Sequence, residues 1–122
     1  VIETLWSRGR RIKEGCRTLI DKHALSSALS VGGKDCWSFL LFRDVDGCSQ
    51  WELKTLFLQE IFARGILALG GHNMCYAHSD ADVDRLRVVY DDVFGILGAA
   101  VRDRSASGLL RTDPLVPLFK IR

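Results

Sequence analysis

Apolar residues recur at helical spacing over the first part of the chain, at Leu5, Ile12, Cys16, Leu19 and Ile20. This stripe predicts an amphipathic helix over about 4–25. The basic residues of the segment lie mostly off the stripe, which is typical of a solvated helix face, with a basic docking surface as the alternative. No start signal precedes this helix, so the sequence is expected to be a piece of a longer one. The basic residues are Arg8, Arg10, Arg11, Lys13 and Arg17.

Two further helices are marked by capping signals. Ser49 and Glu52 have the spacing of a capping box, and Gly65 stands where a helix ends with a residue of positive φ. Ser79 opens the third helix, which is expected to continue to about Val101, and acidic residues in its first turn complement the helix dipole. The apolar faces comprise Leu53, Leu56, Phe57 and Ile61 in the second helix, and Val83, Leu86, Tyr90, Val93, Ile96 and Leu97 in the third.

Short apolar runs between turn residues predict the strands. We expect strands at 28–31 and 37–42 around a Gly32-Gly33 turn, at 66–69 and 74–77 around a tight turn over 70–73, and at 118–122 at an edge of the sheet. The polar segment 102–108 is predicted to be mobile. The order of elements predicts a single α+β domain over 1–122, with a small, mainly antiparallel sheet and helices packed on one face.

Composition narrows the classes of function. Seventeen basic and 15 acidic residues give a formal charge of +2, which is too balanced to favour nucleic acid or an anionic membrane surface. No apolar run approaches the roughly 20 residues that span a bilayer. The four cysteines match no zinc or redox spacing, so no metal site is predicted; Cys16 and Cys75 are interpreted as core residues, and a reducing, cytoplasmic compartment is expected.

The segment Gly70-Gly71-His72-Asn73 is the strongest candidate for a site. Two glycines let the backbone turn sharply or approach a ligand, and an imidazole and an amide follow with hydrogen-bonding groups. Taken alone, this pattern is typical of a plain hairpin turn with an exposed histidine, and a substrate-facing loop is the alternative. No phosphate-binding loop, dinucleotide fingerprint or nucleophile elbow is present.

An ordered set of segments resembles the C-terminal domain of the class III, pyridoxal-phosphate-dependent aminotransferases, and in particular the glutamate-1-semialdehyde aminomutase family. The segments are Leu53 to Leu67, Gly70 to Asn73, Tyr76 to Asp84, and Pro117 to Arg122. In that family a helix ends in an Arg-Gly or Glu-Gly pair, followed by an apolar strand, a loop, and an Ala-His-Ser/Thr segment that opens the last long helix. The resemblance covers nearly all of the chain.

The resemblance implies that this chain is the small domain of a fold-type I enzyme, without the large domain. In the family the Schiff-base lysine, the aspartate on the pyridinium nitrogen and the phosphate-binding loop belong to the large domain. We therefore expect no catalytic or cofactor-binding residue here, and no pyridoxal phosphate bound to this chain alone. The expected partners are the large domain, a second subunit in a homodimer, and a small amine or amino acid.

The same resemblance places His72 and Asn73 nearest the substrate, with Gly70 and Gly71 giving clearance. His78 precedes the helix cap and is interpreted as structural despite its place in the motif. The loop is shorter than in the aminomutases, which leaves the substrate open. The alternatives are a free-standing interaction module without catalysis and a basic-helix binding module. On the first interpretation the isolated domain exposes the apolar surface that meets the large domain, and is expected to self-associate.

Overall fold

A computed structural model describes residues 1–117 of the chain. These residues form helices and one three-stranded antiparallel sheet, which confirms the predicted α+β class. In chain order the elements are α1 (Ile2–Lys22), β1 (Leu29–Lys34), β2 (Trp37–Phe42), α2 (Gln50–Ala63), β3 (Gly71–Asn73), α3 (Asp80–Asp103) and α4 (Ala106–Leu109). None of the helices within this range is both long and apolar enough to cross a lipid bilayer.

The central strand, β2, pairs with β1 on one side and β3 on the other. Leu29 lies opposite Phe42 at one end of the first hairpin, and Lys34 lies opposite Trp37 at the other. Ser38 lies opposite His72 in the second pairing. Because side chains alternate along a strand, each strand presents one row to the helices and one to the opposite face.

The helices pack on one face of the sheet around a cluster of aromatic rings. The Phe57 ring of α2 lies 5.5 Å from the Phe42 ring of β2, 5.5 Å from the Tyr90 ring of α3 and 6.4 Å from the Phe94 ring. Phe57, Tyr90 and Phe94 are each at most 1% exposed. This cluster joins the core-facing stripes of α2 and α3 to the sheet, as the apolar periodicity of these two helices predicted.

Both predicted helix starts are confirmed. Ser49 accepts a hydrogen bond from the backbone N–H of Glu52, and the Glu52 carboxylate accepts one from the N–H of Ser49. Ser79 makes the same reciprocal pair with Asp82. Gly65 has a φ of +83° directly after α2, as the sequence predicted. These local signals fix the helix ends without help from the rest of the fold.

Several strand and turn predictions are wrong. The first strand does not stop before Gly32-Gly33, because pairing with β2 carries β1 on to Lys34 and moves the turn to Asp35-Cys36. The predicted 70–73 turn holds β3 itself at 71–73, because these residues pair with the end of β2. The flanking segments 66–69 and 74–77 are therefore not strands.

One prediction about burial is also wrong, and the segment predicted to be mobile is partly helical. Cys75 is exposed rather than part of the core, because the strand expected there does not form; Cys16, on α1, is buried as predicted. The segment 102–108 includes the end of α3 and most of the short α4, and α4 is held by Ala106, which is fully buried. The predicted terminal strand, 118–122, lies outside the described residues.

Candidate functional site

Strand β3 divides the predicted substrate-facing segment between two environments. Gly70 is buried at the start of the strand, with a φ of +92°, and its carbonyl accepts a hydrogen bond from Leu40 N–H at 2.8 Å. Gly71 and Asn73 are exposed, whereas His72 is only 7% exposed. The alternation of a strand therefore turns the imidazole of His72 and the amide of Asn73 towards opposite faces of the sheet.

His72 lies at the centre of a buried chain of three polar side chains. Its Nδ1 is 3.0 Å from the Ser38 hydroxyl oxygen on β2, and its Nε2 is 2.7 Å from the Tyr90 hydroxyl oxygen on α3. Ser38 and Tyr90 are at most 1% exposed. A neutral imidazole has one donor and one acceptor nitrogen, so both of its nitrogens are satisfied here.

Burial determines the protonation states of His72 and Tyr90. Desolvation lowers the pKa of His72 from 6.5 to about 4, so the imidazole is neutral at pH 7. Desolvation likewise raises the pKa of Tyr90, which keeps its phenol protonated. The hydrogen-bonded group of Ser38, His72 and Tyr90 therefore carries no charge at neutral pH and connects β2, β3 and α3 in the interior.

A cleft of about 620 Å³ opens beside β3, between the 65–68 loop and the first half of α3. Its walls are largely apolar, His72 and Tyr90 contribute to its floor, and Arg85 is its one arginine among the described residues. A volume of this size falls within the range of sites for small molecules and peptide side chains. The apolar wall residues are Ile12, Ile66, Leu67, Ala68, Met74, Val83 and Leu86.

The N-terminal end of α3 is attached to α1 by ion pairs. Arg8 donates to the carbonyl of His78 at 2.6 Å and pairs with Asp80 at 3.3 Å. Arg11 pairs with Asp80 at 3.0 Å and with Asp84 at 2.7 Å. Two of the basic residues on α1 are thus bound to acidic residues of α3, which reduces the free positive charge that a docking surface on α1 would offer.

His78 has a structural role in the loop before α3. Its Nδ1 accepts a hydrogen bond from the backbone N–H of Cys75 at 3.1 Å, and its carbonyl is held by Arg8. The side chain thereby supports the turn that leads from β3 to the cap at Ser79. This arrangement agrees with the structural interpretation of His78 from the sequence.

The face of the sheet opposite the helices is apolar and open. Trp37, Phe39 and Leu41 project from β2 on this face, and the Trp37 and Phe39 rings lie 5.2 Å apart. Trp37 is 57% exposed and Leu41 is 50% exposed. Phe39 lies opposite Gly32 on one neighbouring strand and Gly71 on the other, so no side chain flanks its ring from either pairing partner.

The described residues do not fit a complete site for pyridoxal phosphate. Such a site needs a lysine for the Schiff base and a carboxylate for the pyridinium nitrogen. Lys13 is held at Asp35, and Lys22 pairs with Asp91 at 2.9 Å. No lysine lines the cleft beside β3 within the described part of the chain. Over residues 1–117, no group of three or more His, Cys, Asp or Glu side chains is placed to hold a metal ion.

The sequence predicted His72 beside a substrate or exposed in a turn, whereas the structure buries its imidazole, and its two partners were not predicted. Ser38 occupies a core-facing position in the alternation of β2, where a polar residue needs a hydrogen-bond partner. Tyr90 was predicted only as part of the apolar stripe of α3, although a buried tyrosine hydroxyl also needs a partner. A search for such paired requirements would have linked Ser38 and Tyr90 to a nearby imidazole.

Comparison with protein-family models, with curated proteins and with solved structures gave no match.

Proposed function

We propose that this chain is the C-terminal small domain of a class III pyridoxal-phosphate-dependent aminotransferase or aminomutase, of the kind that acts in the cytoplasm as a homodimer. In this role the domain covers the cofactor cleft of the large domain and shapes the pocket for an amine or amino-acid substrate. The cofactor, its lysine and its phosphate site belong to the large domain. The chain alone is inactive.

The observation that carries this proposal is that helices cover only one face of the sheet. Helices cover one face, whereas the other presents an aromatic and aliphatic row at Trp37, Phe39 and Leu41. Exposed apolar rows of this kind are typical of surfaces that meet another protein surface. Gly71 and Asn73, from the segment that resembles the family's substrate loop, belong to the same open face.

The buried hydrogen bonds of His72 to Ser38 and Tyr90 support the same role. Because Ser38 and Tyr90 bind His72 from the interior, the backbone of β3 is held in place, and Asn73 is directed outward. His72 is therefore a positioning residue in this proposal, and Asn73 is the side chain available to a substrate. Gly71 leaves space beside Phe39 for the approach of a ligand or of the large domain.

Reconstitution in two pieces tests the proposal. The chain is mixed with the large domain of a class III aminotransferase that lacks its own C-terminal domain, and the visible absorbance of the cofactor and transamination of an amine are measured. We expect activity only when both pieces are present. Trp37→Asp, on the open face, is expected to abolish activity, whereas Val88→Asp, on the exposed side of α3, leaves it unchanged.

A direct cofactor test completes the design. Pyridoxal phosphate is added to the chain alone, the mixture is reduced with borohydride, and any adduct is located by peptide mass spectrometry. The proposal requires that no lysine is labelled stoichiometrically. A single cleanly labelled lysine with the absorbance of an internal aldimine would contradict it, as would a failure of every large domain tested to gain activity.

A further inference from the structure

The free edge of β3 carries backbone groups that point away from the sheet. Leu40 N–H donates to the carbonyl of Gly70 at 2.8 Å, and Met74 N–H donates to the carbonyl of Cys36 at 3.1 Å. Hydrogen-bonded and non-hydrogen-bonded pairs alternate in an antiparallel ladder, so His72 exchanges its bonds with β2. The N–H and C=O groups of the residues on either side of His72, Gly71 and Asn73, consequently point outward from the edge.

These outward groups have no other backbone partner in the described part of the chain. None of the hydrogen bonds outside the ladder within residues 1–117 involves the backbone of Gly71 or Asn73. An edge with unpaired N–H and C=O groups is a template for another strand. Two donors and two acceptors at strand spacing are therefore available on this side of β3.

The edge opens onto the cleft described above. Gly71 and Asn73 line it together with His72, so the unpaired groups and the apolar walls belong to one concave surface. A strand laid along β3 would direct every second side chain towards Ile66, Val83 and Leu86. These wall residues are positioned to receive apolar side chains.

The cleft also has an unpaired positive charge. Arg85 lines it and donates to the carbonyl of Arg64 at 3.4 Å, but no carboxylate lies within 4.0 Å of its guanidinium among residues 1–117. Asp82 also lines the cleft, but its carboxylate accepts hydrogen bonds from the N–H and the hydroxyl of Ser79, and Asp84 pairs with Arg11. An acidic group on the ligand would therefore complement Arg85.

We propose that this cleft binds an extended peptide segment that adds to β3 as a fourth strand, with alternate apolar side chains in the cleft and an acidic side chain at Arg85. The mode is β-strand addition, in which main-chain hydrogen bonds supply affinity and pockets for alternate side chains supply specificity. The site does not use the open face with Trp37, Phe39 and Leu41. The proposal does not rest on the proposed function, although Gly71 and Asn73 take part in both.

The test uses the whole chain labelled with ¹⁵N and an acetylated, amidated peptide, Val-Thr-Val-Thr-Glu-Thr, in which the glutamate lies on the same face as the two valines. On titration we expect the amide resonances of Gly71 and Asn73 to shift and their hydrogen exchange to slow. A peptide with N-methyl groups at alternate residues, which removes the pairing donors, is expected to bind at least about tenfold more weakly. Replacement of its glutamate by glutamine is expected to weaken binding by a similar factor.

Matched variants of the chain test the same contacts. Asn73→Pro removes the outward N–H of an edge position, whereas Asn73→Ala keeps it, so only the proline variant should lose about tenfold in affinity. Arg85→Gln should weaken binding of the parent peptide about tenfold and leave binding of the glutamine peptide unchanged. Arg87→Gln, two residues further along α3 and outside the cleft, is the control and should have no effect.

Three results would overturn the proposal. The first is equal binding of the N-methylated peptide, or no shift at Gly71 and Asn73 at millimolar peptide. The second is the same set of shifts with butyrate alone, which would indicate a carboxylate site without strand addition. The third is a concentration-dependent shift at these residues without peptide that persists in the Trp37→Thr, Leu41→Thr variant, which would assign the edge to a second copy of the chain. Trp37→Asp should leave peptide binding intact, which separates this test from reconstitution with the large domain.

Discussion

The Nε2 atom of His72 lies 2.7 Å from the hydroxyl oxygen of Tyr90, and this contact joins the last strand of the sheet to the middle of α3. On its other side the same imidazole bonds to Ser38, so one residue connects three elements. Since the site is buried, each nitrogen that lost its partner would also lack water to replace it. The arrangement makes His72 a determinant of stability as well as of the position of β3.

Removal of the Tyr90 hydroxyl provides the most direct check of this contact. Tyr90→Phe is expected to lower the free energy of unfolding by about 1–3 kcal/mol, because His72 keeps a buried nitrogen without a partner. Denaturant unfolding measures the change, with an unaltered m-value as the sign of an unaltered fold. Tyr76→Phe, at a tyrosine that is 64% exposed, is the control and should have no measurable effect.

The stability of the chain should fall in mildly acidic solution because of His72. Its pKa is about 4 in the folded chain and 6.5 ordinarily, so between these values the unfolded chain binds more protons than the folded chain. The contribution of His72 is therefore complete above pH 6.5 and is lost as the pH falls to 4, a loss of up to about 3 kcal/mol.

Measurement of the unfolding free energy at several pH values tests this expectation. His72→Gln, which does not titrate in this range, is expected to show a flatter profile between pH 6.5 and 4 than the parent. Titration of the His72 ring protons by NMR should give a midpoint near 4. A midpoint near 6.5, or parallel profiles for the parent and the variant, would contradict the buried, neutral imidazole.

The close approach of α1 and α3 depends on a glycine. A Cβ at Gly98 would lie 2.7 Å from the backbone carbonyl oxygen of His23, so Gly98→Ala forces the backbone to move. We expect a loss of about 1–3 kcal/mol in the free energy of unfolding. Gly108→Ala is the matched control, because no atom lies within 4 Å of its added Cβ, and alanine is the better helix former. Equal effects at the two glycines would contradict the packing described for α3.

The open face of the sheet should cause the isolated chain to associate at high concentration. The double variant Trp37→Thr, Leu41→Thr interrupts the exposed apolar row. It is therefore expected to have a lower average molar mass in sedimentation experiments and to bind less hydrophobic dye. Threonine suits a strand, so the free energy of unfolding should change little. Val88→Thr, at an exposed position on α3, should leave association unchanged. A parent chain that stays monomeric and binds no dye would contradict this prediction.

The sequence by itself determined the features that depend on neighbouring residues. The helix starts were predictable because each capping serine bonds a backbone N–H only three residues away. These serines are Ser49, which pairs with Glu52, and Ser79 at the start of α3. The apolar periodicity of α2 and α3 likewise identified Leu56 and Val93 as core positions, and both are fully buried. The α+β class followed from the order of these elements.

Only the tertiary structure decided which residues pair and which face each side chain takes. The extent of β1 past Gly33 and the position of β3 depend on hydrogen bonds to β2, which no local signal specifies. A shift of one residue in a strand reverses its faces, so the same sequence could present His72 either to solvent or to the interior. Pairing with Ser38 and packing against Tyr90 determined the outcome, because the buried imidazole finds a partner for each nitrogen there.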